Sequence, residues 1–208
     1  MSESFNVRAV QLIQLEMLKE LDRVCQEHDI KYFLCGGTLL GAVRHGGFIP
    51  WDDDLDVMML RKDYEKFLLI YEEEQSRGYF LQTYETDKEY INLFAKLRKD
   101  NTIFMEEVTK NRDMHHGVYI DIFPLDNIPD TNLERFIHRS ILVFLDLFRL
   151  SSEMQIVRAS SSGARKLVGR TLHPLARRVV DNRYIRVIDS LAKAYMERNT
   201  IMVSNLYG

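Results

Sequence analysis

Cysteine is scarce in this chain, with only Cys25 and Cys35 present. That excludes a disulfide framework, and neither residue stands in a Cys-x-x-Cys or Cys/His spacing of the kind that holds zinc. Such usage points to a reducing compartment. Long hydrophobic runs are missing too. The longest, Ile141 to Phe148, is interrupted by Asp146 and is far too short to span a bilayer. Met1 to Arg8 lacks the apolar stretch of a signal peptide, so the expected location is the cytoplasm. Excess positive charge is also absent, since 28 Lys and Arg face 31 Asp and Glu for a net charge of -3. A protein that coats nucleic acid by bulk charge is thereby excluded, and no nucleic-acid partner is expected. There are only four prolines, no internal repeat and no long low-complexity run. Ser160 to Gly163 is the best linker or mobile-loop candidate.

What is present is a good core. Of the 208 residues, 46% are hydrophobic and 11% aromatic, enough for one folded domain, or one with a helical appendage. From Val10 to Val24 the residues Leu12, Leu15, Leu18, Leu21 and Val24 recur at near-helical spacing between Gln, Glu, Lys and Asp, predicting an amphipathic opening helix. Lys31 to Cys35 reads as a buried strand ending at the turn Gly36-Gly37, with Thr38 capping a short helix to Arg44. His45 to Trp51 is loop chemistry, Asp54 to Leu60 a second strand, and Arg61 to Arg77 a second long helix with Tyr64, Phe67, Leu68 and Tyr71 on one face. Tyr79 to Thr83, Asn92 to Leu97 and Val118 to Phe123 are further strand candidates, and from about Thr131 the pattern turns helical to the end. The expected class is α+β: a small mixed sheet with flanking helices in residues 1–130, then a helical C-terminal region in 131–208.

The densest chemical signal joins Gly36-Gly37-Thr38 to the acidic run Asp52-Asp53-Asp54-Leu55-Asp56. On a strand, residues two apart share a face, so Asp54 and Asp56 present two carboxylates side by side while Leu55 and Val57 point to the core. Two carboxylates about 5 Å apart repel by roughly 3 kcal/mol at an effective dielectric of about 20. In a partly buried site, one protonates or a cation neutralises both. Magnesium takes one or two carboxylates with waters and phosphate oxygens, which suits this pair beside a glycine turn able to receive a phosphate. An EF-hand fits less well, because it would place Val57 where glycine is needed and Asp63 where a bidentate glutamate is expected. A plain solvated acidic turn is the bland alternative, opposed by Trp51 on one side and Leu55, Val57 and Met58 on the other.

In the Val118 to Phe123 strand, Val118, Ile120 and Ile122 face one way and Tyr119, Asp121 and Phe123 the other. A mid-strand carboxylate among apolar neighbours either pairs with a structural Arg or Lys or joins the metal site, and the company of Asp54 and Asp56 favours the metal. Asp126 reads as a turn-shaping residue after Pro124. Arg44 and His45 are candidates to hold an anionic leaving group and Trp51 to stack on a base or a choline-like cation, with surface and packing roles as the alternatives. Lys96 and Arg98 supply positive charge on a strand. His115-His116 reads as a loop pair without a third metal ligand. The Gly-x-Ser-x-Gly elbow, Walker loop, His-Glu-x-x-His and Gly-x-Gly-x-x-Gly templates are all absent. Metal-assisted phosphate chemistry remains.

The stretch Tyr32 to Asp56, with Tyr119-Ile-Asp-Ile-Phe-Pro-Leu-Asp126, closely resembles the LicD family of phosphocholine transferases, which includes the fukutin-related enzymes. The resemblance extends over residues from about 10 to 200. It implies a nucleotidyltransferase-like fold that binds a divalent cation, magnesium or manganese, and moves a phospho-alcohol from a CDP-linked donor such as CDP-choline to a hydroxyl of a glycan or lipid-linked glycan, releasing CMP. Carried over by position, the glycine pair is Gly36 and Gly37, the metal pair Asp54 and Asp56, and the third carboxylate Asp121, while Asp52 and Asp53 match the acidic run. Family members usually continue beyond a segment like Val203 to Gly208, so the resemblance implies a C-terminally shortened chain lacking part of the acceptor site.

Two other readings compete. The same acidic motif serves nucleotidyl transfer with release of pyrophosphate, and a non-catalytic module would keep the fold to bind a nucleotide or glycan. Between Ser151 and Val180, Arg158, Arg165, Lys166, Arg170, Arg177 and Arg178 face Glu153 alone. With Leu167, Val168, Leu172, Leu175 and Val179 interleaved, this segment suits peripheral contact with an anionic inner membrane face; a solvated helix pair is the alternative.

Overall fold

A computed structural model of the protein describes residues 6–73, 78–153 and 163–206. Its elements are α1 (Val7–Glu27), β1 (Tyr32–Leu34), α2 (Gly36–His45), β2 (Asp56–Leu60), α3 (Arg61–Glu73), β3 (Tyr79–Gln82), β4 (Ala95–Lys99) and β5 (Tyr119–Asn127). There follow α4 (Asn132–Ser151), α5 (Gly163–Val179), α6 (Asn182–Ala192), a 3-10 turn (Lys193–Tyr195) and β6 (Val203–Ser204). The class is α+β, as the order of periodic segments predicts. The sheet runs β1-β2-β5-β4-β3, with β6 paired to the end of β5. Only β2 and β5 pair in parallel, with Asp56 opposite Asp121; the other pairings are antiparallel.

The two faces of this sheet have different chemistry. On one, Val57, Met59, Leu97, Ile120 and Ile122 pack against Met17, Leu21 and Val24 of α1 and Tyr64 and Phe67 of α3. The opposite face follows from the period of two. There Lys96 pairs in register with Asp121 and Arg98 with Tyr119, so the polar site lies on the face that α1 and α3 leave uncovered. A second cluster, Leu93, Leu142, Ile185, Ile188 and Ala192, sits beneath α4 and α6.

Four expectations need correction. Leu12 and Leu15 of α1 are exposed, and the buried face is instead Val10, Gln11, Gln14, Met17, Leu21 and Val24, because two glutamine amides have backbone partners inside. Thr38 does not cap α2, which starts at Gly36 after Cys35; its hydroxyl accepts from Asp56 N at 2.8 Å. Asp126 does not shape a turn: it lies within β5, and its carboxylate oxygens take Arg61 Nε at 2.6 Å and Nη2 at 2.9 Å. The chain is not helical to its end, since Ser204 and Val203 pair with Asp126 and Asn127. Ser160 to Ser162 and Arg158 lie outside the described residues, as does the end of the predicted helix at residues 74–77.

Candidate active site

The glycine pair is where the site begins. Gly36 has φ +53°, a left-handed conformation in which a side chain is strained. A Cβ there would stand 3.0 Å from Asp56 Oδ2, and one at Gly37 would stand 2.5 Å from Asp52 Oδ2. Two missing side chains thus make the space that two carboxylates occupy. Cys35 N donates to Asp56 O at 3.2 Å, and together with the Thr38 hydroxyl it holds the start of β2 on both sides.

The acidic loop is positioned from α1. Gln11 Nε2 donates to Ile49 O at 3.0 Å and Asp52 O at 2.9 Å, and Gln14 Nε2 donates to Asp53 O at 2.9 Å and Tyr119 O at 3.1 Å. One turn apart on one helix face, these buried amides fix the loop against both β2 and β5. Sequence reasoning missed them, because Gln between leucines reads as the wet side of a helix. Asp121 N completes the frame with a 2.9 Å bond to Leu55 O.

On this frame Asp54, Asp56 and Asp121 are brought together, and each resists ionisation. Burial, with Asp121 and Asp54 nearby, pushes the Asp56 carboxyl up to about 7. Burial and then Asp52 raise Asp54. Burial raises Asp121 also, against the pull of Lys96. Lys96 Nζ stands 3.0 Å from Asp121 Oδ1 and donates to Oδ2 at 3.4 Å. Among the described residues, Oδ1 remains a buried acceptor without a hydrogen bond. Lys96 also lies 3.3 Å from the centroid of the Tyr119 ring and 3.6 Å from Glu106 Oε2. Glu106, on the loop between β4 and β5, is a third residue the sequence did not single out; nothing in its local pattern marks it.

The remaining candidates lie apart from this group. Arg44 and His45 end α2 exposed, Asp53 is exposed, and Trp51 is 77% exposed on the loop. Arg98 is structural: wholly buried, it donates from Nε to Gln82 Oε1 at 2.7 Å and from Nη1 to Gly117 O at 2.8 Å. The histidine pair stays in its loop, with His115 Nε2 3.1 Å from Asp100 Oδ1 and His116 Nε2 3.0 Å from Arg112 O. Cys25 and Cys35 are free and buried, each thiol pushed by burial up to about 12.

The residues present fit a hard divalent cation. Their donors are all carboxylate oxygens, and their mutual repulsion is relieved only in part by Lys96, which stands 3.0 Å from Asp121 Oδ1. Among the described residues no group of three or more His, Cys, Asp or Glu is placed to hold a metal ion by itself. Magnesium, which keeps waters and takes phosphate oxygens from its substrate, needs only one or two carboxylates from the protein.

Residues 29–137 match the domain model described as LicD/FKTN/FKRP, nucleotidyltransferase domain. The chain is 35% identical over 129 residues to the lipopolysaccharide cholinephosphotransferase LicD of Haemophilus influenzae, covering 62% of this chain and 47% of that protein. An uncharacterized protein of Rickettsia prowazekii is 34% identical over 123 residues, covering 59% of this chain and 42% of its own length. The ribitol 5-phosphate transferase FKRP of Homo sapiens is 43% identical over 53 residues, 24% of this chain and 11% of that one. The chain thus spans less than half the length of each of these relatives.

Proposed function

The chain belongs to the LicD/FKTN/FKRP nucleotidyltransferase family, and from that premise we propose that it transfers phosphocholine, or a related phospho-alcohol, from a CDP-linked donor to a glycan hydroxyl. The observation that carries this reading is the meeting of Asp56 and Asp121 on parallel neighbouring strands, beside Asp54 and a glycine pair shaped around carboxylates. Asp121 is buried and Asp54 and Asp56 half-buried, all three with raised proton affinity, and Lys96 is the cation paired with them, at Asp121. Binding alone would not need the repulsion they create, which disfavours a non-catalytic module.

Asp54, Asp56 and Asp121 would hold magnesium or manganese, which when bound supplies charge neutralisation at the transferring phosphoryl group. Lys96 supplies positive charge at the same place from the protein itself. The acceptor oxygen attacks the phosphorus bearing choline; that O–P bond forms, the P–O bond to the CMP phosphate breaks, and CMP leaves with the electron pair. One of the three carboxylates, or Asp53, takes the hydroxyl proton. Arg44 and His45 steady the departing nucleotide phosphate, and Trp51 offers a face for the base or the quaternary ammonium.

Incubation with CDP-choline, a glycan acceptor and Mg²⁺ should release CMP, and Asp56→Asn should lower that rate at least ~100-fold with an unchanged circular dichroism spectrum. Full activity in Asp56→Asn would overturn the assignment. Pyrophosphate from CTP in place of CMP from CDP-choline would make the chain a nucleotidyltransferase.

A further inference from the structure

Helix α4 is apolar on its outward side as well as its inward one. Its exposed side carries Leu133, Phe136, Ile137, Ile141, Val143 and Phe144, with Phe136 70% and Phe144 64% exposed. These residues recur at spacings of three and four along the helix and form one stripe. The inward side of the same helix places Leu142 and Leu145 in the second core cluster and mixes them with polar groups. His138 Nε2 lies 2.9 Å from Leu191 O. Arg149 is wholly buried, its Nη1 donating to Ile91 O at 2.9 Å and its Nη2 2.6 Å from Asp146 Oδ1. A surface helix ordinarily needs only the inward apolar face, as α3 has with Tyr64, Phe67 and Tyr71.

The neighbouring helix extends this surface. α5 packs against α4, burying Gly169 and Ala176 and exposing Leu167, Val168, Leu175 and Val179. Around these, Lys166, Arg170, Arg177 and Arg178 are exposed, as is Arg139 on α4. Among the described side chains of the two helices, Glu134 is the one exposed acid, and it bonds the Thr131 hydroxyl at the helix start. No described helix is long and apolar enough to cross a membrane.

We propose that the α4–α5 layer is a docking surface for an anionic lipid bilayer, lying in the headgroup region with its apolar side chains in the acyl boundary and its arginines and lysine at the lipid phosphates. An apolar stripe that none of the described residues covers, with cations beside it, has the chemistry of an interfacial helix. Charge decides against a second copy as the occupant, because two such faces would bring like charges together. This docking is independent of the transfer reaction.

The full chain should co-sediment with vesicles of phosphatidylglycerol and phosphatidylcholine. Binding to pure phosphatidylcholine should be at least ~10-fold weaker, and binding to the mixed vesicles should fall as salt is raised. Phe136→Ser/Phe144→Ser alters only exposed side chains, so it should lower vesicle binding at least ~10-fold with the melting temperature unchanged. Arg170→Glu/Arg177→Glu should do the same and remove the salt dependence. No preference for anionic vesicles, or undiminished binding by the Phe136→Ser/Phe144→Ser variant, would overturn the proposal. So would a dimer in sedimentation analysis that the same variant dissociates, since it would give the face to a second copy.

Discussion

Burial beside Asp121 and Asp54 holds the Asp56 carboxyl at about 7, against an ordinary value of about 3.9 for an aspartate in an unfolded chain. A carboxyl whose folded value is raised favours the folded state while protonated, and that contribution is lost as pH rises through the folded value. Asp54 and Asp121 are shifted in the same direction. The metal-free protein should therefore melt at a lower temperature at pH 8 than at pH 6. Addition of Mg²⁺ should raise the melting temperature more at pH 8 than at pH 6, and Asp56→Asn should flatten the pH dependence. A scanning fluorimetry series over pH 5.5–8.5 with and without the ion checks all three, and a pH-independent melting temperature would contradict the electrostatics. Gly36 is the other decisive residue. Its φ of +53° and the 3.0 Å gap to Asp56 Oδ2 mean that Gly36→Ala should cost about 1–2 kcal/mol in denaturant unfolding. It should also lower turnover, because the added Cβ presses on a carboxylate of the site.

At the scale of elements, the acidic loop is held mainly by α1. Gln14 is completely buried and spans Asp53 O and Tyr119 O. Gln14→Leu keeps the bulk and leaves two carbonyls without that donor, so it should lose about 1–3 kcal/mol of stability by urea titration. It should also weaken Mg²⁺ stabilisation, since the loop that carries Asp52 to Asp54 is no longer tied to β5. Gln11→Leu should act in the same direction through Ile49 O and Asp52 O. Retention of both stability and ion response in Gln14→Leu would show that the loop holds itself.

Across the whole molecule, one buried ion network joins the C-terminal helices to the sheet. Arg61 at the start of α3 contacts Asp126 of β5 through Nε and Asp189 of α6 through Nη1 at 2.9 Å. Asp189 also accepts from Tyr84 at 3.0 Å and meets Lys193 Nζ at 3.0 Å. Removing Arg61 strips buried Asp126 of its bidentate partner, while Asp189 keeps Tyr84 and Lys193. Arg61→Met should cost about 3–5 kcal/mol and loosen α6 together with the strand end that β6 covers. Hydrogen exchange should show the faster opening in both places, and a change confined to α3 would contradict the coupling.

Much of this was readable from local pattern alone. The alternation Val118, Ile120, Ile122 against Tyr119, Asp121, Phe123 placed Asp121 on the polar face, and the run Asp52 to Asp56 marked the acids, although Gly36-Gly37 opens α2 rather than forming a separate turn. Those inferences need only the two-residue period of a strand. What the sequence could not determine are contacts between residues far apart in the chain: Gln14 with Tyr119, Arg61 with Asp189, Lys96 with Glu106. The side of α1 that is buried, and the apolar outward side of α4, depend on partners whose positions exist only after the chain has folded. Burial is a property of the assembled layers, so the proton affinity of Asp56 and the exposure of Phe136 were decided by tertiary structure.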